Sequence, residues 1–390
     1  MPAFRVDKGQ IQSYDAIVKL TLQLQLLPSA DQKRMLLATM EQFNAAASHA
    51  ARVGFDAQRF SQPSIHALCY RELRQRFGLS SQMAVRAIGK AVECFQRDKK
   101  HCPRFRPYGA MTYDQRLMSF KGMDKASLLT LEGRQIVPLI YGEYQKARFD
   151  RIKGQCDLIF RGGKFYLLAS IDLPDKAPIE VKEFLGVDLG VEKIIATSDG
   201  TSVSGQHVEA VRQKYHAVRR SLGRKMHQRH KRRTRKNARR AMKRIGNKEG
   251  RFRRHQNHVI SKQLVTQAKD TARGIALEDL KGIRERTRFR KGQRAKMGGW
   301  AFAQLRQFVT YKGQLFGVPV VTVDPRNTSR TCSRCGHSEK NNRKSQSKFV
   351  CLHCGFACNA DINAARNIAA RAASKPAIEV SEKHQHRLVS

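Results

Sequence analysis

The sequence predicts an α+β protein built from two unlike halves. From Glu183 onwards, short apolar segments follow the order strand, strand, strand, helix, strand, helix, strand, helix, which is the order of an RNase H-like sheet. The first 175 residues instead resemble a β-rich unit that is interrupted by a helical insertion. Five of the nine cysteines lie within Cys332–Cys358, so we expect a small metal-bound ribbon inside the second half.

The first half begins with a half-buried strand, in which leucines alternate with polar residues up to Pro28. Ser29 and Gln32 then form a capping-box pattern, which predicts the start of a helix. The glycine pair at 162 and 163 is typical of a hairpin turn. The predicted elements are a strand over 18–28, helices over 30–55, 63–77 and 81–98, and a hairpin over 156–173.

The second half opens with three short strands, which begin with "FLGVDLG" at Phe184. A long polar helical stretch is predicted next, and a polar, disordered tail is expected after Lys375. The predicted elements are strands over 184–190, 193–200 and 201–205, a helical stretch over 211–269, a strand over 274–280, a helix from about Trp300, a strand over 318–325 and a helix over 360–373.

Three carboxylates stand where a charge should be rare. Asp188 and Glu278 each end an apolar strand, and Asp361 begins a helix. If the two strands are neighbours, both acids can point into one pocket that the helix start closes. Three oxygen ligands of this kind suit Mg²⁺ or Mn²⁺, and two such ions can cleave a phosphodiester bond.

Each acid could instead cap a helix or pair with an arginine, since the chain has 75 basic residues and 32 acidic ones. Because successive side chains of a strand point to opposite faces, we expect Asp279 on the face opposite Glu278. Asp324 ends the strand "VVTVDP" and competes with Asp361 for the third place in the cluster. We expect Glu192 to be solvated.

The cysteine cluster has the spacing of a metal site. Cys332 and Cys335 are two residues apart, as are Cys351 and Cys354, and a glycine follows each pair. Four thiolates predict a closed tetrahedral zinc site with a structural role. Cys358 is a fifth thiol outside the quartet, and His337 and His353 are minor alternatives as ligands. We expect plain thiols at the four scattered cysteines, Cys69, Cys94, Cys102 and Cys156.

The charge of the chain indicates a polyanionic partner. The formal net charge is +43, and residues 212–254 hold twenty Lys or Arg and one Glu. A solvated helix would interleave acids among its cations, so we expect this segment to contact nucleic acid. The candidate contacts are Arg219, Arg220, Arg224, Lys225, Arg232, Arg233, Arg235, Lys236, Arg239, Arg240, Lys243 and Arg244.

The sequence shows neither a run of about 20 apolar residues nor a signal-peptide pattern. We therefore expect a cytoplasmic protein with no membrane partner.

The segments "FLGVDLG", "IALEDLKGIR", "TSRTCSRCG…FVCLHCG" and "DINAARNI" occur in this order. Together they resemble the OrfB/TnpB proteins of bacterial insertion sequences, whose members are RNA-guided DNA nucleases related to type V CRISPR effectors. The resemblance covers Glu183–Arg371 well. The N-terminal half agrees more loosely, through its strand, helices and return to β-structure.

The resemblance implies a RuvC-type nuclease domain over 183–374, with Asp188, Glu278 and Asp361 as catalytic acids and a zinc ribbon over 328–358. It also implies a wedge-like β-barrel over 1–28 and 102–182, with a helical recognition insertion over 29–101 and a disordered tail over 375–390. A guide RNA and double-stranded target DNA would be the partners of a monomeric, nucleoid-associated bacterial protein.

Two other functions stay open at this point. A non-catalytic, nucleic-acid-binding zinc-ribbon protein would account for the basic segment and the cysteines, but it leaves Asp188 and Glu278 unexplained. A transposase that joins DNA strands itself would use the same kind of acid cluster. Divalent-dependent cleavage separates the first from a nuclease, and strand-transfer products identify the second.

Overall fold

The computed structural model describes residues 17–174, 176–228, 232–280 and 301–374. The chain divides into two compact units, Met1–Pro174 and Asp175–Ser390. The expected tail over 375–390 and Trp300 itself lie outside the described residues, whereas the helix expected from about Trp300 is present from Phe302. Among the described helices, none is both long and apolar enough to cross a membrane.

The first unit combines a seven-stranded sheet with three long helices around one core. The capping box at Ser29 and Gln32 is present, and Gly78 ends the second helix with φ +63°, a conformation that favours glycine. The helices are α1 (Ala30–Asp56), α2 (Gln62–Phe77), α3 (Ser81–Arg97) and the short α4 (Glu143–Lys146).

The strands of this sheet run in the order β2-β6-β7-β1-β5-β4-β3. The predicted hairpin is confirmed, because β6 and β7 pair as antiparallel neighbours around Gly162 and Gly163, whose φ values are +63° and +83°. The strands are β1 (Ile17–Leu26), β2 (Met111–Tyr113), β3 (Met118–Lys121), β4 (Lys125–Thr130), β5 (Gly133–Ile140), β6 (Ile152–Arg161) and β7 (Lys164–Pro174).

The second unit contains a five-stranded sheet in the order β10-β9-β8-β11-β12. β8, β9 and β10 form an antiparallel meander, and β11 pairs parallel to both β8 and β12. The strands are β8 (Phe184–Leu189), β9 (Lys193–Thr197), β10 (Ser202–Ser204), β11 (Gly274–Glu278) and β12 (Val320–Val323), with a separate pair β13 (Lys348–Val350) and β14 (Ala357–Asn359).

The predicted helical stretch over 211–269 is helical in the structure, where the described residues divide into three helices. α6 ends before Gly246 and Asn247, and glycine is the poorest helix former after proline. The helices of this unit are α5 (Gln206–Met226), α6 (Arg232–Ile245), α7 (Lys248–Asp270), α8 (Phe302–Phe316) and α9 (Ala360–Ala373).

Helices cover both faces of this sheet. Leu185 and Val187 of β8 pack with α7 and α8 residues in the larger core, whereas Ala276 of β11 packs with Ile368 and Ala372 of α9. α9 approaches β8 so closely that a Cβ atom on Gly186 would lie 1.9 Å from the carbonyl oxygen of Ala365. Strand alternation therefore decides which side chains meet α9.

Candidate active site and metal centre

Asp188 and Glu278 lie side by side on the α9 face of the sheet. Val187 pairs with Leu277 in the parallel register of β8 and β11, and each acid is the next residue along its strand. Because alternate side chains share a face, Asp188 lies on the same side as Gly186, and Glu278 on the same side as Ala276. The expectation that the two strands are neighbours is confirmed.

Asp361 is the second residue of α9, and the side chain of Asn359 caps this helix by accepting from the backbone N–H groups of Asp361 and Ile362. The Asp361 carboxylate lies close enough to Asp188 to raise the pKa of Asp188 by charge repulsion. The structure thus brings all three predicted acids to one end of the sheet.

Burial is the largest influence on the pKa of each of the three acids. Burial first, and then the negative charges of Glu278 and Asp361, raise the pKa of Asp188 to about 7 from an ordinary 3.8. Burial likewise raises the pKa of Glu278 and of Asp361. No described residue forms an ion pair with Asp188 within 4.0 Å. Carboxylate oxygens are the hard donors that Mg²⁺ and Mn²⁺ prefer, and a bound cation would offset the effect of burial on these acids.

Two cations flank Asp361. Lys193 Nζ lies 3.9 Å from Asp361 Oδ2, and Arg343 Nη2 lies 3.6 Å from Asp361 Oδ1. Both cations act against the effect of burial on the pKa of Asp361. Arg343 lies between the two cysteine pairs in sequence, so the cysteine ribbon contributes a charged side chain to the acid cluster.

The three acids do not form a tight ligand set. Among the described residues, the four clustered cysteines form the one group of three or more metal-ligating side chains whose ligand atoms all lie within 4.8 Å of one another. Two oxygens on one Mg²⁺ lie at most about 4.2 Å apart, since each metal–oxygen bond is ~2.1 Å. The three acids as they stand are therefore too far apart for all of them to bind one ion directly.

The competing acids have other partners. Arg306 donates to Asp279 Oδ1 at 2.9 Å on the α8 side of the sheet, as strand alternation predicts. Asp324 is exposed, and its carboxylate accepts from the backbone N–H of Arg326 at 3.0 Å, within its own turn. Glu192 is exposed.

Several polar residues at this site were not predicted from the sequence. Thr328 donates to Glu278, and Asn363 and Asn367 of α9 bond to the backbone of the loop that precedes the first cysteine pair. Two asparagines four residues apart, which lie on one face of a helix, are a pattern that the sequence alone contains. Thr328, Lys193 and Arg343 lie in no such pattern, because their roles depend on distant parts of the chain.

The four cysteines converge as their spacing predicts. The Sγ atoms of Cys332 and Cys354 are 3.7 Å apart, and those of Cys335 and Cys351 are 3.6 Å apart. Gly336 and Gly355, which follow the two pairs, have φ values of +77° and +70°. Their N–H groups donate to the carbonyl oxygens of Cys332 and Cys351, so the two halves form matching turns around the thiols.

The remaining cysteines and the two histidines are separate from this cluster. Cys358 pairs with Phe349 in the small β13–β14 sheet and is absent from the metal-ligating group found among the described residues. His337 and His353 stack on each other with ring centroids 5.5 Å apart. None of the nine cysteines forms a disulfide, and of the four scattered ones in the first half Cys69 and Cys156 are buried.

The predicted nucleic-acid contacts are mostly exposed. α6 has one buried side chain, Ala238, and turns seven cations to solvent. We call these seven the basic surface: Arg232, Arg233, Lys236, Arg239, Arg240, Lys243 and Arg244. Among described residues, none of the seven forms an ion pair within 4.0 Å, so their charge faces solvent unneutralised.

Arg219 differs from the other predicted contacts. Its guanidinium donates to Glu249 Oε2 at 2.5 Å, and Glu249 is the one acid of residues 212–254. Because this charge is bound within the chain, Arg219 is not part of the basic surface. Arg235 is half-buried, while Arg220, Arg224 and Lys225 are exposed on α5.

Comparison with family models matches two segments of the chain. Residues 170–282 match the OrfB_IS605 model, described as a probable transposase, and residues 302–368 match the Cas12f1-like TNB domain. These segments include β8, β11, the cysteine cluster and most of α9. The resemblance to OrfB/TnpB proteins is confirmed.

Curated relatives include both OrfB/TnpB and Cas12f proteins. The chain is 31% identical over 248 residues to the CRISPR-associated endodeoxyribonuclease Cas12f1 of Sulfoacidibacillus thermotolerans, which is 59% of this chain and 54% of that protein. It is 32% identical over 226 residues to the putative RNA-guided DNA endonuclease InsQ of Escherichia coli (strain K12), 53% of this chain and 54% of that protein.

The TnpB-like protein MJ0751 of Methanocaldococcus jannaschii is 26% identical over 263 residues, 65% of this chain and 92% of that protein. The chain spans about half the length of the Cas12f1 and InsQ relatives that it matches.

Solved structures show the same fold at low identity. A Cas12f1–sgRNA–target DNA complex contains a chain with a TM-score of 0.59 and 15% identity, over 90% of this chain and 98% of that one. The mini-RNA-guided endonuclease CRISPR-Cas_phi3 has a TM-score of 0.57 and 10% identity, over 92% of each chain. This likeness agrees with the predicted α+β class.

Proposed function

We propose that this chain is an RNA-guided, divalent-metal-dependent DNA endonuclease with Asp188, Glu278 and Asp361 as its catalytic acids. One observation carries the proposal: carboxylates from β8, β11 and α9 lie near one another, one of them buried and two half-buried, and burial together with the charges of Glu278 and Asp361 raises the pKa of Asp188 to about 7. A cluster of acids whose charge the protein compensates only in part favours a cationic ligand.

In this proposal the second unit is an RNase H-like, RuvC-type nuclease domain over 183–374. The meander β10-β9-β8 followed by two parallel strands supports it. The first unit would provide the wedge-like β-barrel over 1–28 and 102–182, with the helical recognition insertion over 29–101. These boundaries rest on the sequence and on the resemblance.

The three acids would hold Mg²⁺ or Mn²⁺. When bound, two such ions supply an activated water and stabilise the leaving oxygen of a phosphodiester. Glu278 enters the site from a buried strand end and Asp361 from a helix start, so both carboxylates are held by regular structure. Lys193 and Arg343 would offer positive charge to the phosphates of a strand that enters beside Asp361.

We also propose that the four cysteines hold one structural Zn²⁺. Four thiolates at ~2.3 Å from zinc in a tetrahedron lie about 3.8 Å apart. The sulfur separations of 3.6 and 3.7 Å fit that shape. A closed Cys₄ set leaves no open position, so this zinc would stabilise the ribbon rather than take part in cleavage.

RNA guidance is supported by charge and by the relatives. The net charge of +43 and the basic surface offer much more phosphate contact than a short DNA site requires. In RNA-guided effectors the protein grips the nucleic-acid backbone while base pairing reads the sequence. The relatives InsQ and Cas12f1 are both named as enzymes that cleave DNA, and the name of InsQ also states that it is guided by RNA.

The test is to purify the protein from its host, sequence the bound RNA, and change its guide portion. We expect cleavage to move to a new DNA target beside the same short motif. Asp188→Ala, Glu278→Ala and Asp361→Ala should each abolish cleavage while leaving RNA binding nearly unchanged, and Asp324→Ala should remain active.

Other outcomes would contradict the proposal. If RNA-free protein cuts one defined DNA sequence regardless of added guides, the guided mechanism is wrong. If joined strands appear instead of cleaved ends, the chain is a transposase, which is the function in the description of the OrfB_IS605 model. If all three alanine variants cleave like wild type, the acid cluster is not the active site.

A further inference from the structure

The carboxylate of Glu278 is held by a single side chain. Thr328 Oγ1 donates to Glu278 Oε1 at 2.5 Å, and both residues are buried, with 3% and 8% of their surfaces exposed. Among the described residues, this is the one side-chain hydrogen bond that Glu278 forms. A hydrogen bond to a charged group is short and strong, so Thr328 fixes which carboxylate oxygen is occupied.

The hydroxyl of Thr328 has two acceptors within reach and one proton to give. Oγ1 lies 3.1 Å from the carbonyl oxygen of Pro325 as well as 2.5 Å from Glu278 Oε1. The ionised carboxylate is the stronger acceptor and lies nearer, so the proton goes to Glu278. This leaves Glu278 Oε2 without a hydrogen bond from the described residues.

Thr328 is in turn held by the helix that carries Asp361. Asn367 Nδ2 donates to the carbonyl oxygens of Thr328 at 2.8 Å and Thr331 at 2.7 Å. Asn363 Nδ2 donates to Thr331 at 2.7 Å, and its Oδ1 accepts from the N–H of Ser333 at 2.9 Å. These bonds are buried or half-buried, where an unmatched polar group costs most.

The bonds therefore link two of the proposed catalytic acids. Glu278 stands at the end of β11, and Asp361 stands two residues before Asn363 on α9. The path from one to the other runs through Thr328 and the asparagine side chains. It sets the spacing between acids that come from different elements of the chain, 83 positions apart in the printed numbering.

We infer that Thr328 is a positioning residue for the proposed divalent-metal site, and that it orients Glu278 so that Oε2 faces the metal. The inference rests on the proposed function, since it concerns the same site. Groups that hydrogen-bond to metal-ligating carboxylates typically change metal affinity or activity by about 10–100-fold when they are removed. Thr328 should act through Glu278, and not through contact with the substrate.

The direct test is to measure the Mn²⁺ affinity of zinc-loaded protein without nucleic acid. Electron paramagnetic resonance gives this affinity, because it reports the concentration of free Mn²⁺. Thr328→Val keeps the shape and removes the hydroxyl, and we expect about 10–100-fold weaker binding. Thr328→Ser keeps the hydroxyl and should bind within about threefold of wild type. Thr322→Val is the matched control, because Thr322 is exposed on β12.

Zinc content and urea stability, measured on the same samples, separate positioning from a structural role. If the role of Thr328 is structural, Thr328→Val should lose zinc content and urea stability as well as Mn²⁺ binding. Thr328→Ser would then not restore Mn²⁺ binding without also restoring the other two properties. If Thr328→Val does not fold, Thr328→Ala provides the same comparison with a small cavity in place of a buried methyl group. Wild-type Mn²⁺ affinity in a folded Thr328→Val or Thr328→Ala protein would overturn the inference.

Glu278→Gln separates this inference from the proposed function. If wild type binds Mn²⁺, Glu278→Gln does not, and Thr328→Val still does, then the metal site stands and only the role of Thr328 fails. If wild type binds no Mn²⁺, or if Glu278→Gln binds it as tightly as wild type, the proposed metal site and the inference fail together.

Discussion

Replacing Asp188 by asparagine should stabilise the Mg²⁺-free protein above neutral pH and remove most of its response to Mg²⁺. Asn is nearly the same size as Asp and carries no charge. The pKa of Asp188 is about 7 in the folded protein, against an ordinary value of 3.8, because of burial first and the neighbouring acids next. Ionised Asp188 therefore destabilises the folded state unless a cation compensates it.

The sign and size follow from the two pKa values. Because the folded pKa is raised, the folded state loses stability as the pH rises from about 4 to about 7, and the loss is complete above that range. Each pKa unit corresponds to about 1.4 kcal/mol. Asp188→Asn should exceed wild type in unfolding free energy by about 2 kcal/mol at pH 5 and about 4 kcal/mol at pH 8, as upper limits.

Urea unfolding of zinc-loaded protein followed by circular dichroism, without and with Mg²⁺ at each pH and with no chelator present, measures these differences. Mg²⁺ should stabilise wild type by mass action and the variant much less. Asp324→Asn is the control, since Asp324 is exposed and accepts from its own turn. An equal difference at pH 5 and pH 8, or a variant less stable than wild type at pH 8 without Mg²⁺, would refute the reasoning.

Two further changes test the ribbon and the packing of α9. Cys332→Ser should lower the zinc content from one ion per chain and lower the stability, because metal binding contributes to folding, whereas Cys358→Ser should leave the zinc content unchanged; elemental analysis that shows equal losses would contradict the Cys₄ assignment. Gly186→Ala places a methyl group 1.9 Å from a backbone oxygen of α9 and should cost more than about 3 kcal/mol in urea unfolding, while Gly223→Ala on α5, where a Cβ meets nothing within 4 Å, should be neutral or stabilising. Equal stability of the two alanine variants would show that the contact between α9 and β8 is looser than the structure has it.

Most of the elements were predictable from local signals. The capping box at Ser29 and the glycine pair at 162 and 163 act through neighbouring residues alone, and both appear as predicted. The helical stretch over 211–269 was predicted less well, because its charge pattern gives no apolar stripe that would mark where one helix ends and the next begins.

The candidate site was predictable from the sequence where it depends on the spacing of cysteines or on acids at the ends of apolar strands. Two CxxCG turns specify a four-thiol cluster almost by themselves, since each turn is local and four thiolates complete a tetrahedron. Asp188 and Glu278 were found because a charge at the end of an apolar strand is costly. Alternation along the strand also placed Asp279 on the opposite face, where Arg306 binds it.

The tertiary structure alone decided which groups surround those acids. Lys193, Thr328 and Arg343 reach the cluster from three separate segments, and none has a neighbour in sequence that marks its role. The requirement for glycine at 186 likewise appears only when α9 packs on β8. The sequence by itself determined the ligand types, the strand ends and the knuckle turns, because these depend on residues a few positions apart. The orientation of the Glu278 carboxylate, the hydrogen bond that Thr328 donates to it and the cations beside Asp361 all depend on how distant segments pack. These are properties of the folded chain.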